Sequence, residues 1–125
     1  MQPFTQFRLS DVKYPLSAHA SENAKAEADT LAKVEETIDA WKSKAPVAGI
    51  IIEPIASEGG DQHASADFFR KLRELTKKKG VYMIVDEVQT GLGATGTLWA
   101  HEKWDLDTPP DAVTFSKKCV SHRDR

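Results

Sequence analysis

Residues 84–96 read IVDEVQTGLGATG, and the fold turns on which half of that stretch carries the meaning. Gly91, Gly93 and Gly96 satisfy G-x-G-x-x-G, the glycine pattern of dinucleotide-binding turns. The first half is an apolar run ending in Asp86–Glu87, the pattern of an acidic strand end in a P-loop ATPase. The dinucleotide pattern needs its first glycine directly after the strand and a helix opening at the third. Here Asp86 to Thr90 intervene, two carboxylates would repel a pyrophosphate, and no helical period opens after Gly96. The ATPase reading needs G-x-x-x-x-G-K-[ST], which does not occur in these 125 residues, so it stays a distant alternative that requires such a segment upstream. The glycines then read as a surface turn, and the acids become the informative part.

Working outward, Val81–Val85 is an apolar strand. Before it, Ser65–Lys79 has helical spacing, with Phe68, Phe69, Leu72 and Leu75 on one face. Ser65 is placed to cap its start, Asp67 sits in the first turn, and Gly80 follows the Lys77–Lys79 run as a stop. The lysine run reads as a solvated helix end. Val47–Ile52 is a continuous β-branched run that suits a strand buried on both faces of a parallel sheet. Ser21–Lys44 is a second helix, with Ala28, Leu31, Val34, Ile38 and Trp41 on one face, Ser21 as cap and Pro46 as the stop. Residues 1–20, with Pro3 and Pro15, read as an extended lead-in. After the glycine loop, Ala112–Phe115 is a short third strand. Helix, strand, helix, strand, loop, strand is βαβ logic, hence an α/β fold with a parallel sheet. Two helices cannot cover both faces of that sheet, so the chain reads as the interior of a larger domain.

Composition narrows the class. A net charge of −2 leaves no footprint for nucleic acid. No apolar run is long enough to span a membrane. The single cysteine, Cys119, rules out an internal disulfide and a cysteine-based zinc site. The first ten residues show neither a basic region before an apolar core nor an Arg/Ser-rich amphipathic pattern, so no targeting peptide is expected in them. His63 and His101 read as loop or packing histidines, with no second ligand at metal spacing.

In open α/β sheets, ligands sit beyond the carboxyl ends of the strands. Here those ends deliver Glu53 and Glu58, then Asp86 and Gln89, then Ser116–Lys117–Lys118. A carboxylate, an amide and a lysine suit a cofactor with a basic ring nitrogen, a hydroxyl and an aldehyde, as in pyridoxal 5'-phosphate (PLP). The same groups also suit structural ion pairs, and Lys117 taken alone reads as a solvated lysine. Glu53, before Pro54, reads as a structural hydrogen-bonding group.

The segments "IIEPIASEGG", "DEVQTG" and "TFSKK" together resemble the class III, ω-amino-acid aminotransferases. "HASADFFRKLR" and "LWAHE" point within that family to the branch acting on 4-aminobutyrate. The resemblance runs from about Lys13 to Lys118. It implies part of the large PLP-binding domain of a fold type I aminotransferase, with residues 21–118 as its βαβ core and 119–125 as a divergent tail. It implies transamination of 4-aminobutyrate with 2-oxoglutarate, amino and keto acids as small-molecule partners, a homodimer, and a mitochondrial matrix or cytoplasmic location. Carried over by motif, Asp86 would bind the pyridine nitrogen, Val88 would pack on the ring face, and Gln89 would bond the ring hydroxyl region. Lys117, which follows the small Ser116, would be the catalytic Schiff-base lysine in preference to Lys118. Glu58 would be the switch glutamate that pairs with a distant arginine when the substrate lacks an α-carboxylate. An unpaired buried arginine costs several kcal/mol, which such a partner removes. The tail "CVSHRDR" departs from the family's small-residue continuation. A truncated, inactive or dimer-interfering piece is therefore the alternative expectation, beside another ω-amino-acid aminotransferase.

Overall fold

The computed structural model describes residue 13 and residues 16–58 and 60–117. The expectations for the earlier part of the lead-in, for Lys118 and Cys119, and for the tail 119–125 lie outside these residues.

A 3-10 turn, Leu16–His19, leads into helix α1, Ala20–Trp41. The lead-in is thus helical at its end, and Ser21 lies inside the helix instead of capping it. No side chain caps its start. At the other end the amides of Lys44 and Ala45 both return to the Trp41 carbonyl, at 3.1 and 3.0 Å. The helix therefore closes three residues before the expected Lys44. Its buried stripe is Asn23, Glu27, Thr30, Val34 and Ile38. Ala28 is exposed, and Leu31 and Trp41 are only half-buried. The apolar face read from the sequence is displaced in its first half because polar partners set the packing there. Asn23 exchanges two hydrogen bonds with the Lys13 backbone, at 2.7 and 2.8 Å, and Glu27 reaches the next helix.

That helix, α2, spans Ala66–Lys79. Ser65 caps it as expected, its Oγ accepting from the Phe68 amide at 3.1 Å. Glu27 of α1 takes both the amide and the hydroxyl of Ser65 at 2.7 Å. One buried carboxylate thereby fixes the cap and joins the two helices. Gly80 ends α2 in the left-handed region (φ 67°), which a glycine adopts without a Cβ clash.

Strands β1 (Gly49–Ile52), β2 (Tyr82–Asp86) and β3 (Ala112–Thr114) form a parallel sheet in the order β1-β2-β3. The register pairs Ile52 with Val85 and Asp86 with Thr114, so the carboxyl ends of all three strands lie side by side. Ile50, Ile52, Met83 and Val85 face the helices and join Val34, Ile38, Phe69 and Leu72 in the core. Phe69 stacks on Trp104 with ring centres 3.8 Å apart. The opposite face carries Ile51 and Tyr82, which are 48% and 64% exposed, whereas Met83 is 0% exposed. Both helices join the core on one side, so among the described residues the β-branched run of β1 alternates between the core and an uncovered face, in keeping with a sheet that two helices cannot cover on both sides.

Candidate active site at the strand ends

Strand β2 sits between its neighbours, so its carboxyl end is the centre of the edge. Asp86 is its last residue and lies on the face opposite the core, half-buried. Its Oδ1 accepts from the Val88 amide at 3.0 Å. That bond turns the chain out of the sheet and fixes the carboxylate over the turn. Val88 and Gln89 follow, both half-buried. β3 ends at Thr114 beside Asp86, and Lys117 stands three residues later, exposed, with φ 61°. A lysine in the left-handed region is uncommon and costs of order 1 kcal/mol or more, a feature that gathers at functional sites. The β1 end carries Glu53, whose Oε2 accepts from the Ser57 amide at 3.2 Å. This is the structural bond expected of it. A two-residue bridge between Ala56 and Gln62 closes the loop, and Glu58 lies exposed at its tip. The structure therefore gathers Asp86, Val88 and Gln89 on one turn and sets the β3 end beside them. Glu58 projects from a separate loop at the same edge.

A further concavity lies at the opposite end of β3, between α2 and the residues before that strand, lined by Arg70, Arg73 and Lys77. Its guanidinium groups are already engaged, Arg70 with the Trp104 carbonyl at 2.9 Å and Arg73 with Asp111. It does not include any of the strand-end groups. Among the described residues, no group of His, Cys, Asp and Glu is arranged to hold a metal ion. No helix among them is long and apolar enough to cross a membrane.

A family model described as "Aminotransferase class-III" matches residues 1–121. The chain belongs to the class-III aminotransferases. Its curated relatives in that family include the 4-aminobutyrate aminotransferase of Emericella nidulans, 62% identical over 90% of this chain and 22% of that protein. The mitochondrial 4-aminobutyrate aminotransferase of Homo sapiens is 57% identical over 88% of this chain and 22% of that protein. The chain thus spans about a fifth of the length of the curated relatives it matches. Among solved structures, lysine aminotransferase from M. tuberculosis matches with a TM-score of 0.69 and 36% identity, over 77% of this chain and 21% of that one. Ornithine δ-aminotransferase from Plasmodium falciparum matches with a TM-score of 0.60 and 32% identity, over 68% and 20%. The α/β fold expected from the sequence is the fold type I aminotransferase fold, with the parallel sheet and flanking helices of its PLP domain.

The class-III chain also holds groups that the sequence pattern alone does not single out. Glu87 is 0% exposed. Its Oε1 accepts from the His101 amide and lies against His101 Nδ1, both at 2.9 Å, and its Oε2 accepts from the Thr90 hydroxyl. Facing a carboxylate, Nδ1 carries the ring hydrogen. Burial pushes the Glu87 carboxyl up, but hydrogen bonds from Thr90, His101 and the Ala100 amide outweigh it and hold the group below its ordinary value. A signal for it does exist in the sequence. Period-two alternation places Glu87 on the face of Met83 and Val85, the core side, where a carboxylate must find partners.

Proposed function

We propose that this chain supplies the strand-end part of a PLP site in an enzyme that transfers the amino group of 4-aminobutyrate to 2-oxoglutarate, giving succinate semialdehyde and glutamate. The observation that carries the reading is Asp86 at the end of the central strand, on the face away from the core, next to the strand that leads to Lys117. The identity of 55–62% to proteins named 4-aminobutyrate aminotransferase favours that substrate over lysine or ornithine, whose aminotransferases match at 32–36%.

The donor set fits the cofactor. Asp86 would hold the pyridine nitrogen in its protonated form through a charge-assisted hydrogen bond. Its Oδ1 is already oriented by the Val88 amide, which limits rotation of the carboxylate and pre-sets its direction. Val88 would pack against one ring face, and Gln89 would bond the ring hydroxyl region. When bound, PLP supplies an electron sink for the pair left by a breaking C–H bond. The Lys117 amine would anchor the cofactor covalently and carry the proton between substrate and cofactor carbons. Glu58, exposed on its loop, would neutralise the arginine that otherwise waits for an α-carboxylate. That lets one site accept both glutamate and 4-aminobutyrate. The family resemblance also implies a homodimer, and we propose that the enzyme assembles as one.

The test is chemical trapping. PLP is added to the 125-residue chain, the product is reduced with borohydride, and the modified peptide is located by mass spectrometry. Modification concentrated on Lys117 and lost in both Lys117→Ala and Asp86→Ala supports the reading. Labelling spread evenly over surface lysines, unchanged in Asp86→Ala, sinks it.

A further inference from the structure

The stretch Asp86–Gly91 contains two interleaved sets of side chains, and only one belongs to the proposed cofactor site. Asp86, Val88 and Gln89 form the first. Glu87, Thr90 and Gly91 form the second, and all three are buried. Strand alternation sends Asp86 and Glu87 to opposite faces. The Glu87 amide still donates to the Thr114 carbonyl at 2.8 Å, extending the β2–β3 ladder by one bond. From there the Glu87 carbonyl accepts from the Gly91 amide at 2.9 Å, closing residues 87–91 into one turn. The Glu87 side chain holds that turn at both ends. Within it, the carboxylate takes the Thr90 hydroxyl. Outside it, the same carboxylate takes the backbone and ring of His101, at the start of the 3-10 helix Ala100–Trp104. Gly91 permits the close packing. A Cβ there would stand 2.8 Å from the Glu87 carbonyl and 2.9 Å from the Trp99 ring. Trp99 in turn lies against Phe115, with ring centres 5.3 Å apart, just past the β3 end.

A buried carboxylate with fixed donors is costly to disturb, because each lost partner leaves charge unpaired in a low-dielectric interior. The geometry points to Glu87 as a positioning residue: with Thr90 and His101 it locks the 87–91 turn, and through that turn it aims Asp86 and Gln89 at the cofactor. This role rests on the proposed PLP site, because the turn has a target only if Asp86 and Gln89 face one.

The test separates the two claims by reading the turn without the cofactor. Amide hydrogen exchange is followed at Val88, whose N–H is held by Asp86 Oδ1, in the 125-residue chain and in Glu87→Gln, Thr90→Val and Thr90→Ser. The expected result is exchange at Val88 faster by about tenfold in Glu87→Gln and Thr90→Val, the scale of one lost buried hydrogen bond. Thr90→Ser, which keeps the hydroxyl, restores protection, and amides of α1 stay protected throughout. PLP affinity, titrated by absorbance, is expected to weaken about tenfold in Thr90→Val and to recover in Thr90→Ser. Unchanged Val88 exchange in Thr90→Val overturns the inference, as does unchanged PLP affinity alongside an unlocked turn. If Glu87→Gln loses the folded state, the comparison of Thr90→Val with Thr90→Ser decides the matter by itself. If the unmodified chain binds no PLP while Val88 still loosens in Thr90→Val, the cofactor site is refuted and the turn lock stands.

Discussion

Single residues here act through what their neighbours present to them, and the acids show it. Asp111 precedes β3 and bonds Arg73 in a fork, while its Oδ2 also accepts from the Met83 amide at 2.8 Å. The Arg73 guanidinium, then the Met83 amide, hold the Asp111 carboxyl below its ordinary value of 3.8. Glu87 likewise sits below its ordinary value of 4.5. A carboxyl depressed in the folded state contributes its full stabilisation above the unfolded value and loses it as the pH falls through the folded one. The urea midpoint should therefore hold steady down to about pH 5 and decline below about pH 4.5. Asp111→Asn should lower the midpoint at pH 7 and flatten the decline. A variant that keeps the full acid slope would remove Asp111 from the explanation. Asp86 is legible as a strand-end acid because its position needs only the strand boundary. Glu87 escapes such a reading because its role depends on Thr90, a local partner, and on His101, which comes from beyond the glycine loop.

At the scale of elements, legibility follows the reach of the interactions that define them. Helix α2 is readable nearly to the residue because its cap, its first-turn acid and its glycine stop are local chemistry. The buried face of α1 is not, because Glu27 is buried by a partner 38 residues away. No periodicity in α1 announces that partner. Ser65 is the hinge of this joint: it caps α2 and donates twice to Glu27. Ser65→Ala should cost about 2 kcal/mol, the upper end of the range for a lost N-cap. The loss exceeds a simple cap deletion because one oxygen of Glu27 also loses its donor. Glu27→Gln should cost less, since the amide oxygen still accepts from the Ser65 backbone. Equal effects of the two substitutions in urea denaturation would show that the Ser65 cap adds nothing beyond its bonds to Glu27.

At the scale of the whole chain, the described residues cover the sheet on one face only, and this sets where stability resides. Sequence alone assigns β1 and β2 two buried faces because apolar β-branched runs usually mark strands covered on both sides. Periodicity cannot distinguish a covered face from an apolar face left open, because the residue types are the same. The structure separates them: Met83 lies fully in the core while Ile51, one strand away, is half-exposed. The open face also bears Asp86, so the surface beside the proposed site is apolar (Ile51, Tyr82, Ile84) with one carboxylate at its end. The energetic consequence can be measured. Met83→Ala removes a side chain packed among α1, α2 and Trp104 and should cost about 2–5 kcal/mol, the range for emptying a core position. Ile51→Ala removes a similar volume from the open face and should cost about 1 kcal/mol or less in the 125-residue chain. Guanidinium unfolding of the two variants, compared at constant m-value, reads the difference directly. Losses of equal size would mean that the second face is covered in solution.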